Sequence, residues 1–318
     1  MALDPNIVKL DPQAKALLDM IALVERIPFS ELTPSLARAQ FVELCRRTRK
    51  TADWAVTTSD HMIPGPGGSL KTRLFRPRSA AVGGVPVLLF FHGGGFCIGD
   101  IDTHDPVCRQ LADEAQCAVL AVDYRLAPEH RFPAAVDDSH AVLRFISAEG
   151  AGLGLDRNRI AVGGDSAGGN LAAVSALFAR DAGIRLAGQL LIYPATDWVT
   201  PYQSREDYGE GFLLTAEAID WFGGNYIDAS QHNDWRASPI FAPDLSRLAP
   251  ALVICGECDP LLDESRAYSE KLRLSGNDVQ FHPYPGMIHG FFTMGGVIAA
   301  ADNAIARSAE FLASIFRS

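Results

Sequence analysis

Apolar positions recur along the chain with two different periods, and the change of period divides it. Over residues 12–26, Leu17, Leu18, Ile21 and Val24 return near every 3.6 residues, which predicts an amphipathic helix that Pro28 ends. Thr33-Pro34 reads as a helix cap followed by proline at the first helical position, opening a second helix that runs to about residue 50. The period then drops to two. Residues 54–63 and 70–76 predict strands, with Leu70, Thr72 and Leu74 alternating, and Pro64-Gly65-Pro66-Gly67-Gly68 breaks them as a hairpin-type loop. Val85–Phe91 is apolar throughout, the mark of a strand covered on both faces. Further strand-like runs fall at 117–122, 159–163, 188–193, 251–255 and 279–284. Helix-like runs separate them at 104–116, 134–148, 171–182 and 260–275, and a last helix spans 297–316. This predicts an α/β fold: a mostly parallel, twisted, eight-stranded sheet with helices on both faces and an antiparallel start at its N-terminal edge.

Two stretches do not belong to a minimal sheet of this kind. The two helices ahead of the first strand read as a cap, although packing on the sheet edge accounts for the same pattern. Residues 195–249 are irregular and rich in aromatics, with a helix expected over 215–226; an insertion of this length reads as a binding wall. Phe29, Trp198, Phe212 and Trp221 either line a pocket there or form the core of the cap.

With 318 residues, 48% hydrophobic and 21% charged, the chain has room for one large α/β domain with an appendage. Its net charge of −10, without a basic run, argues against nucleic-acid and anionic-membrane partners. Met1-Ala2-Leu3-Asp4-Pro5-Asn6 does not read as a signal peptide, and the longest fully apolar run, Val85–Phe91, is too short to span a bilayer. A cytoplasmic protein without stable membrane insertion is expected. The six cysteines are expected to be buried thiols. Cys255-Gly256-Glu257-Cys258 has redox spacing, but it competes with a stronger signature elsewhere.

That signature begins at Gly164-Asp165-Ser166-Ala167-Gly168, a G-x-S-x-G pentad between the strand at 159–163 and the helix at 171–182. Strand, tight turn and helix are the context of a nucleophile elbow: glycines leave room for the turn, and the serine hydroxyl stands above the sheet. A serine hydroxyl is a weak nucleophile until a base lies within hydrogen-bond reach, and the base needs an acid to fix its tautomer. On such a sheet the order is serine, acid, histidine, each after a strand. Ser166, Asp259 and His289 fit this order. On local grounds alone Asp259, just before Pro260, reads as an ordinary helix cap rather than an acid, and it is the serine and the histidine that turn the choice; Asp263 and Glu257 are rival acids. His289 follows the last strand; His282 lies within that strand, and His61, His92, His104, His130, His140 and His232 precede the required position. The run His92-Gly93-Gly94-Gly95 follows a buried strand and leaves bare amides that, with that of Ala167, are suited to hold an oxyanion. It is not a dinucleotide fingerprint, because Ile98 occupies the place of the third glycine, and no P-loop ending is present; no cofactor and no metal are expected.

Taken with Asp123-Tyr124-Arg125-Leu126-Ala127-Pro128-Glu129, Asp259-Pro260-Leu261-Leu262-Asp263-Glu264 and His289-Gly290-Phe291, these motifs resemble the bacterial hormone-sensitive-lipase-like (family IV) carboxylesterases of the α/β-hydrolase superfamily. The resemblance runs from about residue 50 to the C-terminus. It implies Ser166, Asp259 and His289 as the catalytic triad and Gly94, Gly95 and Ala167 as the oxyanion hole. It implies a catalytic domain over 51–318, with residues 1–50 and part of 195–249 forming a cap, and Phe96 standing where some relatives carry tryptophan. It also implies a small-molecule ester substrate of short to medium acyl chain, hydrolysed through an acyl-enzyme, and a homodimer, since many such enzymes are dimers. Amide hydrolysis by the same groups is the alternative; a ligand receptor on a dead hydrolase fold is a third reading, but such relatives lose the base, and this chain keeps His289.

Overall fold

The run Val85–Phe91 forms β3, the strand against which the rest of the sheet is laid. Its side chains alternate between two cores, Val87, Leu89 and Phe91 on one face and Leu88 and Phe90 on the other. The computed structural model describes residues 10–23, 27–80 and 84–317. Before β3 come α1 (Pro12–Ala22), α2 (Pro34–Thr48) and the hairpin of β1 (Val56–Gly65) and β2 (Gly68–Pro77). After it follow α3 (Ile101–Ala115), β4 (Ala118–Val122), α4 (Ala134–Glu149), β5 (Leu155–Asp165), α5 (Ala167–Asp181) and β6 (Gly188–Ile192). The insertion carries α6 (Gln203–Asp207) and α7 (Ala216–Tyr226); then come β7 (Ala251–Cys258), α8 (Leu262–Leu274), β8 (Val279–Ile288) and α9 (Ala299–Arg317).

The eight strands form one sheet in the order β1-β2-β4-β3-β5-β6-β7-β8. β2 is antiparallel to both β1 and β4, and every other pairing is parallel, so the α/β fold is the expected one. α4, α5 and α8 cover one face, and α3, α9 and α1 the other.

Several element boundaries differ from the sequence expectation, each for a visible reason. β5 begins at Leu155, whose partner is Val85, but pairing resumes only at Ile160 opposite Val87; the polar residues 156–159 form the irregularity and hide the strand's start. β8 continues through Pro283 and Pro285 to Ile288, where a loop is expected, because it is an edge strand on which a missing N–H costs little. α6 is too short to show a period. Residues 24–26, included in the first helix expectation, and residues 1–9, on which the leader-peptide reading rests, lie outside the described residues.

The N-terminal helices take two different places. α1, capped by Asp11 through the Gln13 N–H at 2.8 Å, buries Ala14 and Leu17 in the core beside α3 and α9. α2 is capped by Thr33 and reaches the loops that follow β3 and β4. Its Arg38 donates from Nε to the Cys97 carbonyl (2.9 Å) and from Nη2 to the Ala127 carbonyl (3.0 Å), and pairs with Glu129 at 2.6 Å. Between the helices, Phe29 stacks on Trp221 of α7 with ring centres 5.8 Å apart, and Ser30 bonds to Glu217.

Candidate active site

β5 ends at Asp165 and α5 starts at Ala167, so Ser166 alone makes the turn, with φ 56° and ψ −116°. That positive φ is uncommon for a residue with a side chain, and here the surroundings enforce it. A Cβ on Gly164 would lie 2.3 Å from the Phe91 carbonyl oxygen, and one on Gly168 only 1.9 Å from the same atom. Only glycine at both positions lets strand and helix close this tightly. The first helical bond, Asn170 N–H to the Ser166 carbonyl, leaves the Ala167 N–H ahead of the ladder at the positive end of the helix.

The Ser166 hydroxyl donates to His289 Nε2 at 3.0 Å, and His289 Nδ1–H donates to Asp259 Oδ2 at 2.8 Å. Asp259 is fully buried and His289 is 9% exposed. Asp259 holds the imidazole through Oδ2 but is not the helix cap that its place before Pro260 suggests: α8 begins at Leu262 with Leu261 at the cap position, and Asp259 Oδ1 accepts the Leu261 N–H at 2.7 Å in the turn ahead of the helix. Asp263 turns away, accepting the Ser204 N–H and pairing with Arg266, and Glu257 accepts the Gly286 N–H. The Tyr193 ring lies 4.5 Å from the His289 ring, and Gly290 (φ 81°) turns the chain after it.

The glycine run follows β3 directly. Gly94 takes φ 120°, and a Cβ there would meet the Ile98 carbonyl oxygen at 2.2 Å. The Gly94 carbonyl accepts from Cys97 and Ile98, while the amides of Gly94 and Gly95 donate to no acceptor among the described residues. Gly94, Gly95, Ala167, Ser166 and His289 all line one cleft of about 980 Å³, its open mouth included. Its walls are mostly apolar: Phe29, Phe41 and Leu44 from the N-terminal segment, and Trp198, Leu213, Leu214, Ile219 and Phe222 from the insertion. Phe29 and Trp198 are therefore wall residues. Phe212 is instead buried edge-on against Tyr208 at 5.2 Å, and Trp221 packs on Phe29 and Phe222.

Sequence reasoning did not find the polar groups that support this cleft. Asp165 Oδ1 accepts the Gly93 N–H at 2.8 Å and lies 3.2 Å from His104 Nε2. Burial disfavours the His104 imidazolium, but the Asp165 charge outweighs it and raises the His104 pKa; likewise Asp165 is held below the usual carboxylate range despite its burial, chiefly by His104. His92 is different: burial pushes it down to about 4, and its neutral ring stacks on Tyr124 at 4.3 Å. Glu264, fully buried on α8, accepts the Thr196 N–H and pairs with Arg205 of α6, both at 2.7 Å, which ties the insertion to the helix that follows Asp259. Burial pushes the Glu264 carboxyl up to about 7 against the pull of Arg205. None of these partnerships has a local signal, because each joins segments far apart in the chain.

All six cysteines are free and buried. Burial pushes the Cys258 thiol up to about 12 and Cys255 well above its ordinary value, so neither half of the C-x-x-C pair carries a ready thiolate.

A family model described as alpha/beta hydrolase fold matches residues 88–293. The carboxylic ester hydrolase LipN of Mycobacterium tuberculosis is 43% identical over 259 residues, covering 78% of this chain and 68% of that protein. The ethyl acetate hydrolase of Pseudomonas putida is 37% identical over 315 residues, 96% of this chain and 99% of that one. Among solved structures, an ester-hydrolase from the metagenome of Lake Arreo, complexed with a derivative of bipyridine phosphonate, matches with a TM-score of 0.94 at 37% identity, covering 98% of this chain and 100% of that one.

Proposed function

The chain belongs to the alpha/beta hydrolase family, and from that premise we propose that it is a serine carboxylesterase acting on small esters of short to medium acyl chain. Ser166 Oγ attacks the ester carbonyl while His289 Nε2 takes its proton. Asp259 holds the imidazole in the tautomer that accepts, and stabilises the imidazolium that forms. The amides of Gly94, Gly95 and Ala167 receive the negative charge that develops on the carbonyl oxygen. Collapse of the tetrahedral intermediate breaks the bond to the alcohol, which leaves with the proton from His289, and the acyl group stays on Ser166. A water then gives its proton to His289 and attacks the acyl carbon; a second collapse releases the acid and restores the serine. Every proton and electron pair is accounted for without a cofactor.

The observation that carries this reading is the unbroken relay from Ser166 through His289 to Asp259, at 3.0 and 2.8 Å, on the wall of an apolar cleft. Phe29 and α2, with part of the insertion 195–249, act in this account as the cap, while α1 does not reach the cleft: Phe29, Phe41 and Leu44 line it together with Leu213, Leu214 and Phe222 and set the acyl length it accepts.

Hydrolysis of a series of 4-nitrophenyl esters by wild type and Ser166→Ala tests the proposal. The alanine variant is expected to lose at least about four orders of magnitude in kcat. Wild type is expected to prefer short and medium acyl chains and to turn over the matched 4-nitroanilides far more slowly. Full activity in Ser166→Ala removes the nucleophile from the account, and faster anilide turnover replaces esterase by amidase.

A further inference from the structure

The sequence places Asp165 immediately before the proposed nucleophile, yet nothing in the esterase mechanism uses its charge. It is buried, as is His104 at the start of α3, and both line the cleft without touching Ser166 or His289 through any described hydrogen bond. A buried carboxylate is tolerated only when paired and hydrogen-bonded. Here its partners come from two other segments. One is the Gly93 N–H, at 2.8 Å, on the loop after β3; the other is His104 Nε2, at 3.2 Å. The imidazole is itself held from behind. Its Nδ1 lies 3.0 Å from Thr103 Oγ1, and Thr103 is fixed by a reciprocal capping box with Asp100. The loop sits directly on the carboxylate: a Cβ on Gly93 would lie 2.3 Å from Asp165 Oδ2.

The proposed oxyanion amides come from two segments whose strands, β3 and β5, are paired as far as Phe91 and Gly164; past that pair no backbone hydrogen bond among the described residues joins Gly93-Gly94-Gly95 to Ser166-Ala167-Gly168. Gly94 and Gly95 are on the loop after β3, and Ala167 is on the serine turn. Asp165 is covalently next to that turn, and its side chain grips the amide next to Gly94. The geometry points to Asp165 and His104 as a positioning pair whose buried carboxylate–imidazole contact holds the Gly93-Gly94-Gly95 loop in register with Ser166 and Ala167. This rests on the esterase reading and assigns to it two residues that do not touch the reacting atoms. Loosening the tie displaces donors that matter only in the transition state. Loss of one such donor costs about 100- to 1,000-fold in kcat, and a misplacement of about 1 Å costs about 100-fold.

The test uses the full chain with Asp165→Ala, Asp165→Asn, His104→Gln and the double variant Asp165→Asn/His104→Gln. Fluorophosphonate titration counts competent active sites, so kcat is expressed per titrated site and misfolded protein drops out of the comparison. An aryl trifluoromethyl ketone, whose serine adduct carries an oxyanion, reads the amides directly. Asp165→Ala is expected to lose about 100-fold in kcat per titrated site, with KM within about threefold of wild type. Asp165→Asn keeps an acceptor for the Gly93 N–H but loses the ion pair, and is expected to fall about tenfold. The double variant is expected to be no worse than about the poorer single one, because both changes break one contact. Ketone affinity is expected to weaken in step with kcat across the set. A merely structural role leaves kcat per titrated site within about twofold of wild type in every variant that folds, and that result overturns the proposal. So does a fall in kcat without a matching loss of ketone affinity. If wild type takes no fluorophosphonate at Ser166, the esterase reading itself has failed; labelled sites with unchanged kcat sink the positioning pair alone.

Discussion

At the scale of single residues, Asp259 shows how a structural and a chemical role are combined in one side chain. One carboxylate oxygen closes the turn into α8 through the Leu261 N–H, and the other holds His289. Asn in its place keeps an oxygen for the turn and loses the charge behind the imidazole. Asp259→Asn is therefore expected to retain a thermal midpoint near wild type while kcat on a 4-nitrophenyl ester falls by about four orders of magnitude, because the imidazole is left in the wrong tautomer. Circular-dichroism melting and steady-state kinetics on one preparation separate the two effects. The proposed triad was legible in the sequence because each member follows a strand and the order along the chain restricts the choice. Asp165, His104 and Glu264 were not. Their chemistry comes from burial and from partners on distant segments, and an isolated Asp, His or Glu in a sequence carries neither.

At the scale of elements, β3 and the serine turn were readable because a continuous apolar run and a glycine-flanked serine each allow few local structures. The start of β5 and the end of β8 were hidden. Polar residues occupy the irregular part of the first, and prolines interrupt the second where only an edge strand tolerates them. The two N-terminal helices looked alike in pattern, yet α1 packs beside α9 while α2 reaches the cleft. What fixes α2 there is Arg38, which spans Cys97, Ala127 and Glu129. If α2 forms one wall of the acyl pocket, Arg38→Ala frees that wall without touching the relay. KM for medium-chain esters is expected to rise several-fold, while kcat on an acetyl ester changes by less than about threefold. Acyl-length profiles of wild type and variant measure this; an unchanged profile removes α2 from the pocket account.

At the scale of the whole molecule, the sheet gathers residues from its central and later strands onto one rim and covers them with two segments that the strand-helix alternation does not require. The insertion is tied down through Glu264, and this tie has a consequence for stability. Below about pH 4.5, the ordinary carboxyl value, Glu264 is protonated whether the chain is folded or unfolded. As pH rises through the folded value of about 7, the folded chain must release a proton that it binds more tightly than the unfolded chain does. Folded stability therefore falls across that window through this group. Glu264→Gln lacks the titration. From pH 5 to pH 8 the unfolding midpoint of wild type is expected to decline relative to that of the variant, and parallel pH profiles contradict the assignment.

The claim beneath all of this is that Ser166 is the residue to which the acyl group is transferred. Peptide mass spectrometry after treatment with a fluorophosphonate reads it directly. The account predicts one phosphonylated residue, Ser166, in wild type, and no adduct in Ser166→Ala or after denaturation before labelling. An adduct on another residue, or equal labelling of Ser166→Ala, contradicts it.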